Sequence, residues 1–224
     1  MRSAAACWAS LAALVAAAAA LADPAAAPDP AGVEELLRRM AATRGVVAEF
    51  VERKELALLA APLESRGTLY FVPPDRLARF TTSPAETELR IEGEELRFRD
   101  ATGREELDLS ASPLARAFVD NFVAIFRGDA EKLRERYELG LARDGERWEL
   151  ALTPRGAPLD RFVAGIFLRG DRGGMREMEL RERDGDRTVT SFEAVDLDHA
   201  FSQAELSRLF PHGPQPAAGA ASGQ

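Results

Sequence analysis

Apolar residues recur at every second position through most of this chain, and the positions between them are charged. Leu89 and Ile91 alternate with Glu88, Arg90 and Glu92. Leu96 and Phe98 alternate with Glu95, Arg97 and Arg99, and Leu107 and Leu109 with Glu106 and Asp108. The period returns later, with Trp148, Leu150 and Leu152 against Arg147, Glu149 and Ala151, and Met178 and Leu180 against Glu177, Glu179 and Arg181. Successive side chains of a strand point to opposite faces, so this pattern predicts strands with one apolar and one wet face, as in antiparallel sheets. Leu69 and Phe71 alternate with Thr68, Tyr70 and Val72, where both faces are partly apolar, and Thr188 to Ala194 reads as a further strand. Turn signals separate the runs: Pro73-Pro74-Asp75, Glu92-Gly93-Glu94, Ala101-Thr102-Gly103, Asp144-Gly145, Gly173-Gly174 and Asp184-Gly185-Asp186. Short strands at regular spacing imply a meandering sheet or a barrel.

Helices interrupt the pattern. Ala31 to Thr43 carries Val33, Leu36, Leu37 and Met40 at helical spacing, with Gly45 where a stop is expected. Ser112-Pro113 opens a second helix, Ser as cap and Pro in the first turn, which runs to about Phe126 and stops at Gly128. A shorter helical turn is expected over Ala130 to Arg134.

The ends of the chain read differently. Arg2, the apolar run Ala4 to Ala20 and Ala20-Leu21-Ala22 before Asp23 form the three-part pattern of a secretory signal peptide over residues 1–22. The only cysteine, Cys7, lies within it and is misplaced for lipidation of a mature N-terminus. Residues 23–30 read as a Pro/Ala tether, 31–211 as one domain and 212–224 as a disordered tail. About 200 residues bury a core without disulfides. A released protein of the bacterial periplasm is expected. The net charge of -8, with arginines interleaved among acids, argues against a nucleic-acid partner.

Residues suited to catalysis are sparse. Of two histidines, His212 falls in the tail and His199 in Asp196-Leu197-Asp198-His199, read as a polar connection since no second ligand set has metal spacing. No Gly-x-Ser-x-Gly elbow and no Gly-rich phosphate loop occurs. Glu34-Glu35, Glu94-Glu95 and Glu105-Glu106 read as solvated. The prominent feature is apolar: Leu114, Phe118, Phe122 and Phe126 recur every four residues along one drifting helix face. A helix packed as ordinary core and a lid lining a ligand cavity give the same periodicity.

The order of parts resembles a known family. A helix precedes Glu49-Phe50-Val51-Glu52-Arg53-Lys54, then Pro62-Leu63-Glu64-Ser65-Arg66-Gly67-Thr68-Leu69-Tyr70-Phe71, then Pro73-Pro74-Asp75-Arg76-Leu77-Ala78-Arg79-Phe80 and Ser83-Pro84. With the Leu180 to Ala194 hairpin and the Ala200 to Pro211 ending, this is similar to the LolA-like periplasmic lipoprotein carriers, especially their divergent LolA-related branch. The resemblance implies an α+β, mainly β fold: a half-open antiparallel β-barrel, or curved sheet, capped by a few helices. It implies a non-catalytic carrier, without cofactor or metal, that holds the acyl chains of lipoproteins or a related lipid. It would act as a monomer between an inner-membrane donor complex and an outer-membrane acceptor. The ligand would meet Leu114, Phe118, Phe122 and Phe126 of the lid helix, Leu69, Phe71 and Leu77 of the sheet, and Leu36 and Met40 of the first helix. Where the family carries a lid-latching arginine this chain has Pro73, which leaves Arg76 and Arg79 as candidate latches. A lipid-sensing or scaffold module of the same fold is the alternative, and an acyl hydrolase using His199 ranks last. On the lid reading, Phe122→Glu abolishes lipid binding and spares the β-fold.

Overall fold

The alternating segments pair, in chain order, into a single sheet. The computed structural model describes residues 29–211. The signal segment 1–22, the tether up to residue 28 and the tail 212–224 with His212 lie outside the described residues. The elements are α1 (Pro30–Ala41), β1 (Val46–Glu55), β2 (Leu63–Val72), β3 (Arg76–Ser83), β4 (Thr87–Glu92), β5 (Glu95–Arg99), β6 (Arg104–Asp108), α2 (Pro113–Arg127), α3 (Ala130–Arg136), β7 (Tyr137–Asp144), β8 (Arg147–Pro154), β9 (Val163–Asp171), β10 (Gly174–Glu182), β11 (Arg187–Asp196) and α4 (Gln203–Leu209). The eleven strands run in the order β6-β5-β4-β3-β2-β1-β11-β10-β9-β8-β7.

Two antiparallel meanders are thus welded at β1 and β11, where Phe50 faces Phe192 and Glu52 faces Thr190. β6 and β7 are left as free edges, so the sheet curls without closing. β6 carries Arg104, Glu105, Glu106 and Asp108 and is exposed along its length, a charged edge that discourages pairing with other strands. The connection from β6 to β7 is α2 and α3. These helices and α1 cover the concave face, and the main core lies between them and inward-facing Val46, Ala48, Phe50, Leu69, Phe71, Leu77, Leu150, Ile166, Leu168 and Phe192.

Helix ends follow local chemistry. Asp29 Oδ1 accepts the Gly32 amide at 2.8 Å to cap α1. Gly128 ends α2 with φ of 60°, and a Cβ there would meet the Leu37 carbonyl oxygen at 2.2 Å. Only glycine permits both the left-handed cap and the close approach of α1. Ser112 precedes α2 as expected but makes no side-chain capping bond.

Several expectations need correction. Leu109 belongs to a 3-10 turn (Leu109–Ala111) rather than a strand, and its side chain is buried. β7 and β9 did not stand out among the alternating runs. β9 does not alternate cleanly, because outward Phe167, beside Arg169, lies under Arg181 at 4.1 Å. Glu179, expected on the wet face, is 0 % exposed. Arg169, Arg181 and Arg187 each donate to its carboxylate at 2.7 Å. Against the penalty of burial, those three donors hold its acid pKa down at about 2.

The convex face has its own apolar cluster. α4 returns across β2 and β3 and seats Leu209 and Phe210 on Val72 and Ala78, flanked by Tyr70, Phe80, Phe201 and Leu206. Arg90 stacks on Phe80 at 4.9 Å and donates to the Leu209 carbonyl at 2.7 Å. Ser202 and Glu205 close a capping box at the helix start.

Candidate functional site: an apolar cavity under the first helix

On the concave side, α1 does not pack flush on the sheet. Between its second half and the β1/β11 seam lies a cavity of about 350 Å³. Leu36 and Met40, one turn apart, form its roof, and inward-facing Val46 and Ala48 of β1 form its floor. Phe126, at the end of α2, forms an inner wall between Phe71 at 5.8 Å and Phe192 at 6.4 Å. Trp148 completes the far side, held by its indole N–H donating to the Asp171 carbonyl at 3.0 Å. Gly170 admits that ring, since a Cβ there would meet Trp148 Cζ2 at 2.4 Å.

A bulge in β11 supplies the remaining wall. The pairing of β1 with β11 slips between Val47 and Glu49, and Ala194 takes φ of 47°. Strict alternation would point Ala194 inward after Phe192. The slipped register turns Val195 and Leu197 to the cavity instead. A bulge re-aiming side chains beside a cavity is a familiar use of the device.

Polar groups sit only at the mouth: Arg39, Thr43, Asp171, Arg172 and Asp198. They also tie the roof down. Arg39 donates to the Arg172 carbonyl at 3.1 Å, linking α1 to the β9–β10 turn. The Thr43 hydroxyl donates to the Leu197 carbonyl. Arg44 grips Asp198 through two bonds of 2.8 and 2.9 Å, which holds that carboxyl below its ordinary range. All three contacts lie at the C-terminal end of α1 or in its link to β1, and the exposed ones contribute little each.

Such a chamber can solvate an apolar chain and present its polar end at the rim. Its volume is roughly a dozen times the ~30 Å³ share of a water-sized group. It sits at the low end of the roughly 300–1,000 Å³ of ligand pockets.

His199 lies outside the cavity lining. Its ring nitrogens meet Asp196 Oδ2 at 3.2 Å and Glu205 Oε1 at 3.1 Å, and these carboxylates, Glu205 first, raise its pKa. The Ser202 hydroxyl donates to Glu205, so the serine and histidine do not form a nucleophile–base pair. Among the described residues, no group of three His, Cys, Asp or Glu is placed to hold a metal.

A family model of the LolA-like outer membrane lipoprotein carrier proteins matches residues 25–212. The chain belongs to this family. No curated protein sequence matches it. Among solved structures, the MucA/MucB complex of Pseudomonas aeruginosa is similar at 19 % identity and a TM-score of 0.48, over 78 % of this chain and 60 % of that one. The chain thus spans about three fifths of that match. A DUF1329 family protein from Desulfovibrio piger is similar at 12 % identity and TM-score 0.44, over 81 % of this chain and 100 % of that one. A LolA superfamily protein from Nitrosomonas europaea follows at 12 % and 0.41, over 78 % and 96 %.

Within this LolA-like fold the expected ligand residues separate. Leu36, Met40 and Phe126 line the cavity. Leu69, Phe71 and Leu77 face the same side but are packed into the solid core. Phe118 is half-buried against Phe162 at 6.1 Å. Phe122 is 36 % exposed and outside the cavity lining. Steps of four residues drift only about 40° on a helix of 3.6 residues per turn, so Phe122 lies between Phe118 and Phe126 around α2 and its exposure comes from the neighbours at its level, not from the drift. Leu114 lies in α2, with its side chain outside the described residues. Neither candidate latch reaches the roof. Arg76 projects from the convex face over Phe210 at 5.2 Å. Arg79 faces inward but is held by Glu52 at 2.9 Å and the Phe50 ring at 4.3 Å. Val195, Leu197, Trp148, Met175 and Arg39 were missed. Trp148 alone carried a sequence signal, as the inward aromatic of an alternating strand.

Proposed function

We propose that the protein is a non-catalytic carrier of the bacterial envelope that holds an acyl chain of a lipoprotein or related lipid in the cavity beneath α1. On this reading residues 1–22 export it, residues 31–211 form the carrier domain, and it works as a soluble monomer in the periplasm between an inner-membrane donor and an outer-membrane acceptor. The carrying observation is the chamber itself: apolar throughout its depth, polar only at its mouth, roofed by a helix whose C-terminal end is tied by a few polar contacts. Each methylene moved from water into such a space gains about 0.8 kcal/mol. A dozen would hold a chain firmly, and a roof that opens would release it.

Native mass spectrometry of protein purified from a bacterial envelope tests this. An adduct with the mass of an acylated lipid, transferred to acceptor vesicles on incubation, is expected. Protein free of lipid that also fails to take up a fluorescent fatty acid would contradict the proposal.

A further inference from the structure

The β1–β2 connection differs from the other hairpin turns. Residues 56–63 read Leu-Ala-Leu-Leu-Ala-Ala-Pro-Leu, eight positions without a charge, in a chain that is 29 % charged. The turns at Asp75, Glu92–Glu94, Asp144, Asp171 and Asp184–Asp186 all carry acids. Leu58 is 98 % exposed, Leu59 47 % and Leu63 52 %. The tip is nonetheless organised. The Ala57 amide donates to Asp186 Oδ1 at 2.9 Å and the Leu59 amide to the Leu56 carbonyl at 2.9 Å. Phe162, 46 % exposed, stands at the same end of the barrel, where its carbonyl accepts the Arg183 amide at 2.8 Å.

We propose that this tip is a bilayer-docking element, whose leucines insert at the headgroup boundary of a lipid membrane. Three features favour a bilayer over a protein partner. A single hairpin tip offers far less than the roughly 800 Å² per side of a stable protein interface. It protrudes, with the Ala57 and Leu59 amides bonded within the protein, and at the headgroup boundary its remaining amides still meet water and polar headgroups. The cations Arg53 and Arg187 at its base are engaged by Glu55, and Lys54 by Glu182, so attachment rests on apolar contact rather than on attraction to lipid charge. The ten residues of β1 span about 33 Å. They separate the tip from Val46 and Ala48 in the cavity, so docking leaves the cavity mouth free. The inference is independent of what the cavity holds.

The test is co-sedimentation of the full protein with vesicles of phosphatidylethanolamine and phosphatidylglycerol, for the wild type and for Leu58→Asp with Leu59→Asp. Binding by the wild type is expected, unchanged between low salt and 0.5 M salt and weakened roughly tenfold or more in the double variant. The thermal midpoint should be unchanged, because neither side chain belongs to the core. A second reporter is Leu58→Trp, whose emission should shift blue on adding vesicles and be quenched by lipids brominated near the headgroup. No sedimentation of the wild type, equal sedimentation of the double variant, or tip-dependent self-association without vesicle binding would each overturn the proposal. Fatty-acid uptake in the double variant should match the wild type. Its loss there, alongside the expected loss of vesicle binding, would count against the cavity reading and leave the docking proposal standing.

Discussion

Two helices lie on opposite faces of the same sheet, and they meet it in different ways. α4 seats Leu209 and Phe210 flush on Val72 and Ala78, with Arg76 and Arg90 stacked on Phe210 and Phe80. α1 seats Val33 and Leu37 in the core but bridges open space with Leu36 and Met40. Interiors normally pack to crystal-like density, and the convex side shows that this sheet can achieve it. The hollow on the concave side therefore reflects the choice of side chains, a bulge that turns Val195 and Leu197 into the cavity wall, and a roof tied at its edge rather than through its middle. One helix is a fixed strut and the other a cover.

Removing Phe210 should cost most. Phe210→Ala empties a tight contact, with about 3–5 kcal/mol lost in denaturant unfolding, while fatty-acid affinity of the folded fraction is unchanged. Loss of binding without loss of stability would reverse the assignment of the two helices. Glu179→Gln comes next, at about 2 kcal/mol, since three arginines lose a shared anion. The folded carboxyl titrates at about 2 against an ordinary 4.5. Its contribution is therefore fully present above pH 4.5 and disappears as pH falls towards 2; acid unfolding of the variant should lack that component. Arg39→Ala should lower stability by only about 1 kcal/mol. It should nevertheless speed release of a bound fluorescent chain in stopped flow and raise hydrogen exchange in α1 but not in α4. The smallest effect belongs to His199. Its folded pKa is raised, so its contribution is complete below about pH 6.5 and lost as pH rises through the folded value. Amides of Leu206 to Phe210 should exchange faster above that point, and His199→Gln should remove the dependence.

Much of the architecture was readable in advance because period two, glycine stops and acidic turns are local signals. The strands from Leu69 to Asp108, the stop at Gly128 and the order of parts shared with the LolA-like family all show in neighbouring residues. The site was harder to read because it depends on register. A one-residue slip at Ala194 exchanges Ala194 for Val195 in the cavity wall, and nothing local announces it. Parity across β2 and β3 puts Arg76 outside and Arg79 inside, which requires the pairing of Phe71 with Leu77. Glu179 reads as solvent-facing because alternation reports the face, not the three arginines that cover it. The Phe118, Phe122, Phe126 stripe reads as one surface because four-residue spacing approximates a helical turn, yet the sheet and loops meet α2 only at its two ends, at Phe162 for Phe118 and at Phe71 and Phe192 for Phe126, and Phe122 between them is exposed. Phe122→Glu is accordingly expected to spare both fold and uptake.

The central claim is that the space beneath α1 is where an acyl chain resides. Val195→Trp fills that space from its wall and leaves the α4 contact untouched. Titration of the purified, delipidated protein with a fluorescent fatty acid decides it. Saturable uptake by the wild type, abolished in Val195→Trp at an unchanged thermal midpoint, is the predicted result, and equal uptake by the filled variant would contradict the account.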